Sequence, residues 1–204
     1  HPMTGPVNIV GAKRGDAIEV EIVDIAPDEY GYTVIAPGFG FLRDIFTEPY
    51  IVNWRLTRNG AVSSEMPGVT VPYEAFPGSI GVMPGNPEVD KILKREAGLA
   101  GAGGAVLMPS GPGALPADLC GEGGTAEDRC LRTIPPRENG GNMDVQQQQI
   151  GTRMLFPCFI DGCGLFVGDV HYAQGDGEVS GTAIEMGSIT TLRVVKIHEG
   201  KGSR

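Results

Sequence analysis

The chain has 204 residues, which is long enough to bury one well-formed hydrophobic core. Hydrophobic residues make up 41% of it and charged residues 20%, a balance typical of globular proteins and not of disordered ones. Acidic residues outnumber basic ones by 25 to 16 and no Lys/Arg cluster stands out, which argues against nucleic acid and anionic membranes as partners. No apolar run approaches the roughly 18 residues that a membrane-spanning helix needs.

Glycine and proline are frequent, at 32 and 16 residues, which favours short strands joined by turns over a helical bundle. Residues 16–25 alternate apolar and polar side chains with the period of a half-buried strand. With the shorter runs 7–10 and 32–36, they predict an opening β meander. Further short strands are predicted at 50–56, 69–71 and 80–83.

One helix is predicted, at residues 87–97. Asn86 is a suitable N-cap, Pro87 suits the first helical position, and Gly98 can end the helix. The apolar stripe comprises Val89, Ile92, Leu93 and Ala97.

Residues 99–128 are rich in glycine and predict a flexible loop, either an exposed excursion or a lid over a site. Beyond it, residues 153–160 and 165–170 predict a hairpin, with the turn at 161–164. Two more strands are predicted at 178–186 and 189–198. The expected fold is therefore mainly β, with sandwich or barrel-like parts, one short helix and long Gly/Pro-rich loops.

The four cysteines do not have the spacing of a zinc knuckle. We expect free thiols in a reducing cytosol, with Cys158 and Cys163 buried and inert. A bridge between Cys120 and Cys130 is the alternative for the loop.

The densest chemistry lies in residues 168–178. Asp169 and His171 are two apart on a predicted strand, so both side chains are expected on one face. Such a pair can orient a general base or supply two ligands of an open metal site, or it can be an ordinary surface pair. Gln174, Asp176 and Glu178 follow on a glycine-containing turn that can bring Glu178 back toward the pair, although solvated turn acids explain it equally well.

A second polar stretch occupies residues 135–144. Gly140 and Gly141 free the backbone where amides can bind an anion or oxyanion. The alternative is structural, with Arg137 paired to Glu138 or Asp144.

These stretches together resemble the acetamidase/formamidase family. The resemblance rests on Pro135-Pro136-Arg137-Glu138-Asn139-Gly140-Gly141-Asn142-Met143-Asp144, on Gly168-Asp169-Val170-His171 with Gln174-Gly175-Asp176-Gly177-Glu178, and on Gly181-Thr182-Ala183-Ile184-Glu185-Met186. It covers most of the chain, including the opening His1-Pro2-Met3-Thr4-Gly5-Pro6, and because relatives continue on both sides, residues 1–204 are expected to be an internal portion of a longer protein.

The resemblance implies hydrolysis of the C–N bond of a small amide, such as formamide or acetamide, to a carboxylate and ammonia. It also implies cytoplasmic homo-oligomers and a divalent metal, which we expect to be zinc, without nucleic-acid or membrane partners. The implied catalytic residues are Glu138, Asp144, Asp169, His171 and Glu178. The implied substrate or oxyanion contacts are Gly140, Gly141, Asn142, Gln174 and Asp176, with His1 as a further candidate site residue.

In the expected mechanism Asp169 and His171 hold the metal or orient the attacking water, and Glu178 is a third metal ligand or a support. Glu138 is the general base that later delivers a proton to ammonia. A covalent route through Glu138 or Cys163 is the enzymatic alternative. A non-catalytic β-rich binding module, or an inactive fragment that keeps the fold, is the alternative from another class.

Overall fold

The longest strand, β2 (Ala17–Ile35), connects most of the other strands. The structure is a computed structural model that describes residues 2–104 and 116–202. Strand β2 is paired along almost its whole length with the antiparallel strand β10 (Glu185–His198). On its other edge β8 (Arg153–Pro157) pairs near its start and β3 (Tyr50–Thr57) near its end. This one strand therefore connects most of the sheet.

The remaining strands are β1 (Met3–Val7), β4 (Gly60–Val62), β5 (Thr70–Val71), β6 (Phe76–Val82), β7 (Gly140–Asn142) and β9 (Leu165–His171). The described residues thus form ten strands in one antiparallel sheet, in the order β5-β4-β3-β2-β10-β9-β6-β7. Strand β1 joins the sheet through β9, and β8 joins it through β2. The mainly β fold class is confirmed.

The core lies on the inward faces of β2, β6 and β9. Ile18, Val20, Ile80 and Val82 are fully buried in one cluster, which shows why their apolar runs form the central strands. Neighbouring clusters form around Ile22 and Ile25 and around Trp54 and Tyr172. This packing places the carboxyl end of β9 between two rigid strands.

Two predicted connections are wrong. Residues 17–25 and 32–35 belong to one continuous strand, so the opening meander does not form. The predicted strand 7–10 is absent apart from Val7, which ends β1, and β1 pairs with β9 instead of β2. Strands β8 and β9 pair with different neighbours and form no hairpin. Register over long sequence separation decides these pairings, and local alternation carries no information about it.

The other element boundaries also shift. The two predicted closing strands are one strand, β10, which starts only at Glu185. Strand β7 is missing from the predicted strands because glycine has low β-propensity. Glycine is nevertheless what allows β7 to pair closely with β6, because a Cβ at Gly140 would lie 2.6 Å from the carbonyl oxygen of Ile80.

The predicted helix is confirmed and is longer than expected, as α1 (Asn86–Gly101). Gly85 occupies the N-cap position instead of Asn86, and Gly98 lies inside the helix. Ile92 is buried as expected, whereas Ala97 is exposed and Glu96 takes the neighbouring buried position. Glu96 is buried because it pairs with arginines.

The glycine-rich segment 99–128 lies partly outside the described residues. Its described parts include the end of α1, a short helix α2 (Ala117–Cys120) and the start of a 3₁₀ helix (Glu127–Arg129). Within the described chain, no helix is long and apolar enough to cross a membrane.

The expectation of free thiols is wrong for this structure. Cys120 is bonded to Cys130, the alternative considered for the loop, and Cys158 is bonded to Cys163. Cys158 and Cys163 are buried as expected, but as a disulfide. The argument from reduced cysteines to a cytosolic location therefore loses its basis.

Candidate active site

The candidate site is built on unusual backbone at three carboxylates. Asp144, Asp169 and Glu178 have φ angles of 50°, 52° and 44°, and among the described non-glycine residues only Cys163 shares this left-handed region. Such conformations are costly for residues with a Cβ and concentrate at functional sites. The fold therefore constrains these three acids in conformations that their local sequence disfavours.

His171 lies at the centre of the group, at the end of β9, and its side chain is only 1% exposed. The ring packs edge-on against Phe76, with centroids 5.2 Å apart. On β6, a Cβ at Gly78 would lie 2.7 Å from His171 Cε1 and 2.8 Å from the carbonyl oxygen of Asp169. Glycine at position 78 is thus what lets the imidazole pack against the sheet.

Two carboxylates flank one nitrogen of this imidazole. His171 Nε2 lies 3.4 Å from Glu185 Oε2 and 3.7 Å from Asp169 Oδ2. Asp169 and His171 do meet, as their spacing predicts, even though Asp169 departs from regular strand geometry. Glu185 comes from the first position of β10, which pairs directly with His171.

The opposite nitrogen of the ring is held by Gln174. His171 Nδ1 lies 2.9 Å from Gln174 Oε1, while Gln174 Nε2 donates to the backbone oxygen of Asp144 at 3.2 Å. The second bond fixes which end of the amide faces the ring, so Nδ1 must carry the hydrogen and donate it. The raised pKa of His171, about 9, favours the protonated ring at neutral pH, with Nε2–H facing Asp169 and Glu185, and loss of that proton leaves an Nε2 lone pair in the same place.

A buried hydroxyl continues the network. Ser79 Oγ donates to Asn142 Oδ1 at 2.8 Å and lies 3.4 Å from Asp169 Oδ2. Asn142 Nδ2 donates in turn to Asp144 Oδ2 at 3.2 Å. The chain from Asp169 to Asp144 is consequently ordered before any ligand binds.

The electrostatics follow from crowding five titratable groups together. Burial by itself would lower the pKa of His171, but its contact with Asp169 and the charges of Glu185, Asp169 and Glu178 outweigh it and raise that pKa to about 9. Burial, and then the charge of Asp144, raise the pKa of Glu178 to about 7, although His171 opposes the shift. A carboxyl with a pKa near neutrality can both accept and donate a proton.

Two groupings of these side chains can hold a metal ion. Asp169, His171 and Glu185 form one, and Asp144, His171 and Glu178 form the other, each with one ligand atom per residue and all within 4.8 Å of one another. The first fits the imidazole better, because Nδ1 is engaged by Gln174 while Nε2 faces Asp169 and Glu185. The metal ligands predicted from sequence, Asp169 and His171 with Glu178, are thus regrouped around Glu185.

The carboxylates open into a cavity of about 700 Å³. Asp144, Asp169, Glu178 and Glu185 lie on its wall together with Asn142. Apolar side chains complete the wall, including Phe39, Phe41, Val34, Ile134 and Met143. The cavity thus combines a polar, acidic end with an apolar lining, as small-molecule sites do.

Other predicted residues lie elsewhere. Glu138 pairs with Arg95 of α1 at 2.5 and 3.1 Å, and its side chain is 57% exposed. The hydrogen bond from Arg95, followed by one from its own backbone, lowers the pKa of Glu138 to about 2. Such a carboxylate is a poor proton acceptor at neutral pH, so the structure does not support Glu138 as the general base.

The predicted oxyanion glycines are also displaced. Gly140 donates its N–H to Arg137, and both Gly140 and Gly141 pair with β6 and line a different cavity. Asp176 accepts from Gln146 and lines a neighbouring cavity instead of the carboxylate-lined one. His1 lies outside the described residues.

Sequence reasoning missed three residues of the site. Glu185 belongs to the resemblance alone, because nothing local distinguishes it from any acid at a strand start. Gly78 and Ser79 precede the strand predicted at 80–83, whereas β6 begins at Phe76 and includes both. Their roles depend on which strand pairs with β6, and that pairing is tertiary information.

Comparison with known proteins decides the family. Residues 1–203 match the sequence profile of the acetamidase/formamidase family. The chain belongs to this family. An acetamidase from Mycolicibacterium smegmatis is 34% identical to this family member over 98% of the chain, and a formamidase from Methylophilus methylotrophus is 32% identical over 98%.

Solved structures agree with the assignment to the acetamidase/formamidase family. A gamma lactamase from Delftia acidovorans superposes with a TM-score of 0.85 at 32% identity over 97% of the chain. An acetamidase from Bacillus halodurans gives 0.72 at 27% identity over 98% of the chain. The chain covers 54% and 52% of the two curated relatives and 52% of each of these structures, so it spans about half their length.

Proposed function

We propose that the protein carrying this chain hydrolyses the C–N bond of a small linear amide to a carboxylate and ammonia. The observation that carries the proposal is the buried His171, held between Gln174 on one side and two carboxylates on the other, beside an acid-lined cavity. Family membership supports the reaction class, since the matched relatives are named as an acetamidase and a formamidase.

The donor set fits a divalent metal. Asp169, His171 and Glu185 offer one nitrogen and two carboxylate oxygens, a combination that suits zinc and several other divalent ions, and zinc is our proposal. A divalent ion at this position would polarise the amide carbonyl and lower the pKa of bound water. The contact of Gln174 with Nδ1 fits as well, because it leaves Nε2 as the nitrogen that can ligate once it has lost its proton to solvent.

Glu178 is the proposed general base. Its pKa of about 7 suits it to take a proton from the attacking water and to return one to the departing nitrogen. This role was predicted for Glu138, which the ion pair with Arg95 keeps deprotonated and away from the cavity. Asn142 has a second amide hydrogen beyond the one given to Asp144, and that hydrogen can stabilise the developing oxyanion.

The structure weakens the covalent alternative. Cys163 is buried and bonded to Cys158, so it offers no thiolate. Glu138 is engaged by Arg95 and lines no part of the carboxylate-lined cavity. Activated water is therefore the mechanism that we propose.

The test is ammonia release from formamide and acetamide by the full-length protein, with and without prior chelation. We expect release that chelation abolishes and a divalent ion restores. Turnover that chelation leaves intact would support the amidase activity and refute the role of the metal. If His171→Ala keeps full turnover, the site assignment is wrong, and binding of amides without any release would favour a non-catalytic binding module or an inactive fragment.

A cyclic amide is a second candidate substrate. The cavity of about 700 Å³ is in the range that encloses much larger ligands than formamide, and Phe39 and Phe41 give it an apolar wall. The Delftia acidovorans structure with a TM-score of 0.85 is described as a gamma lactamase. Higher kcat/KM for a γ-lactam than for formamide would identify the lactam as the better substrate.

We also propose that the protein is a cytoplasmic homo-oligomer. In support of assembly, the loop before β3 exposes large apolar side chains, with Phe41 at 76% and Ile45 at 66% exposure. Light scattering on the full-length protein would test the oligomeric state, and a monomer at micromolar concentration would contradict it. Fractionation of cells would test the location.

A further inference from the structure

A second cavity, of about 570 Å³, lies against the start of α1 and is separate from the proposed catalytic cavity. The two cavities share none of their lining residues. The second cavity is lined by Arg132 and Arg137, together with Gly140 and Gly141. These glycines belong to the polar stretch 135–144, whose backbone amides were predicted to bind an anion or oxyanion. The proposed hydrolysis uses none of these four residues, so their arrangement requires a separate explanation.

The charges beside this cavity do not balance. Arg137 contacts Glu96 Oε1 through Nη2 at 2.6 Å and Nε at 2.9 Å, and Arg132 Nη2 lies 3.8 Å from Glu96 Oε2. The three side chains are only 6%, 15% and 8% exposed for Arg137, Arg132 and Glu96. One carboxylate thus faces two largely buried guanidinium groups, and a buried charge without compensation is unfavourable.

The surplus charge belongs to Arg132. Arg137 is fully engaged, because its Nη1 also donates to the backbone oxygens of Arg132 and Pro135. Arg132 Nε is buried and finds no hydrogen-bond acceptor among the described residues, and Glu96 Oε2 likewise receives no hydrogen bond there. The third arginine of the cavity, Arg129, is neutralised by Asp90 at 2.8 Å.

The rest of the cavity is apolar. Met83, Val89, Leu131 and Phe166 contribute to its wall. The first turn of the 16-residue helix α1 also borders it, and the N-terminal end of a helix favours negative charge. A ligand that complements this surface has an anionic head and an apolar body.

We propose that this cavity binds a small organic carboxylate with an apolar body, whose head pairs with Arg132. Since Arg132 Nε is buried away from solvent, the ligand carboxylate would accept from the terminal Nη groups of this guanidinium. The proposal does not depend on the amidase function, since it rests on different residues.

The test is calorimetric titration of the full-length protein with hexanoate, with 1-hexanol and inorganic phosphate as comparison ligands. We expect hexanoate to bind, 1-hexanol, which has no charge and no amide bond to hydrolyse, not to compete for the site, and Arg132→Gln to weaken hexanoate at least about tenfold, as loss of a charged contact does. Arg153→Gln is the matched control, because Arg153 is exposed and contacts only Glu19 and Glu21 among ion-pair partners. It should leave hexanoate affinity unchanged.

Several results would overturn the inference. Equal hexanoate affinity in Arg132→Gln and the wild type would assign the binding to another site, including the catalytic one. Phosphate binding as tightly as hexanoate would refute the organic carboxylate. Should Arg132→Gln fail to fold, the side-chain NMR resonances of Arg132 in the wild type replace this variant as the test. If hexanoate does not shift these resonances, the contact is refuted.

Discussion

Gln174 should control metal affinity without being a ligand. Asp169 and Glu185 both face His171 Nε2, and in a neutral ring they would favour the tautomer with hydrogen on that nitrogen. The Gln174 Oε1 contact at 2.9 Å instead holds the hydrogen on Nδ1. Replacing Gln174 by Leu removes this acceptor, and His171 must then give up its preferred proton before it can ligate.

The expected loss can be given a magnitude. Removing the hydrogen-bond partner of a ligating imidazole costs roughly 10- to 100-fold in metal affinity, or about 1.4 to 2.7 kcal/mol. Gln174→Glu retains an acceptor facing Nδ1 and should keep zinc affinity within about threefold of the wild type, since the acceptor oxygen carries the effect. Gln147→Leu is the matched control, because Gln147 is exposed and the bond that it accepts from Thr152 Oγ1 is through its backbone oxygen.

The assay is zinc affinity by calorimetry or chelator competition, read beside the ¹⁵N spectrum of the imidazoles. The sequence has only 3 histidines, so the His171 signals can be assigned by comparison with His171→Ala. In spectra recorded above pH 9, where the metal-free ring is neutral, Gln174→Leu should shift the His171 tautomer as well as the affinity. If zinc affinity is unchanged in Gln174→Leu, the reasoning about the tautomer is refuted. If the wild type binds no zinc, the metal site itself is refuted.

Three further outcomes are expected. In urea unfolding, Gly78→Ala should destabilise the protein by about 1–3 kcal/mol, because the new Cβ would collide with the His171 ring. Gly98→Ala in α1 should instead stabilise it by about 0.5–1 kcal/mol, because no atom lies within 4 Å of the new Cβ. Equal effects of the two substitutions would contradict this. Glu178→Gln should lower kcat by about 10²–10⁴-fold, while Glu138→Gln should leave it within about a factor of two because exposed ion pairs contribute little. The ion pair with Arg95 lowers the pKa of Glu138 from 4.5 to about 2, so the pair stabilises the fold above pH 4.5 and this stabilisation is lost as the pH falls toward 2. Because the pair is exposed, its contribution is below about 1 kcal/mol. The urea midpoints of Glu138→Gln should lack this pH dependence.

Local sequence correctly predicted the elements whose residues match the period of one structure. The alternation at 16–25 and the apolar stripe of α1 both became secondary structure, because each buries one face against the core. The two polar motifs supplied Asp169, His171, Gln174 and Glu178 as candidate site residues, and the structure brings these side chains together. Their residue types and glycine spacing are local properties, so the sequence by itself determined them.

Only the tertiary structure decided how those side chains meet. Glu185 lies 14 residues beyond His171 and reaches it through the pairing of β10 with β9, while Gly78 and Ser79 reach the site through β6. Glu138 lies beside Arg95 of α1, outside the cavity, although it belongs to the same motif as Asn142. Strand register over long separations depends on the packing of the whole sheet, and no single segment encodes it.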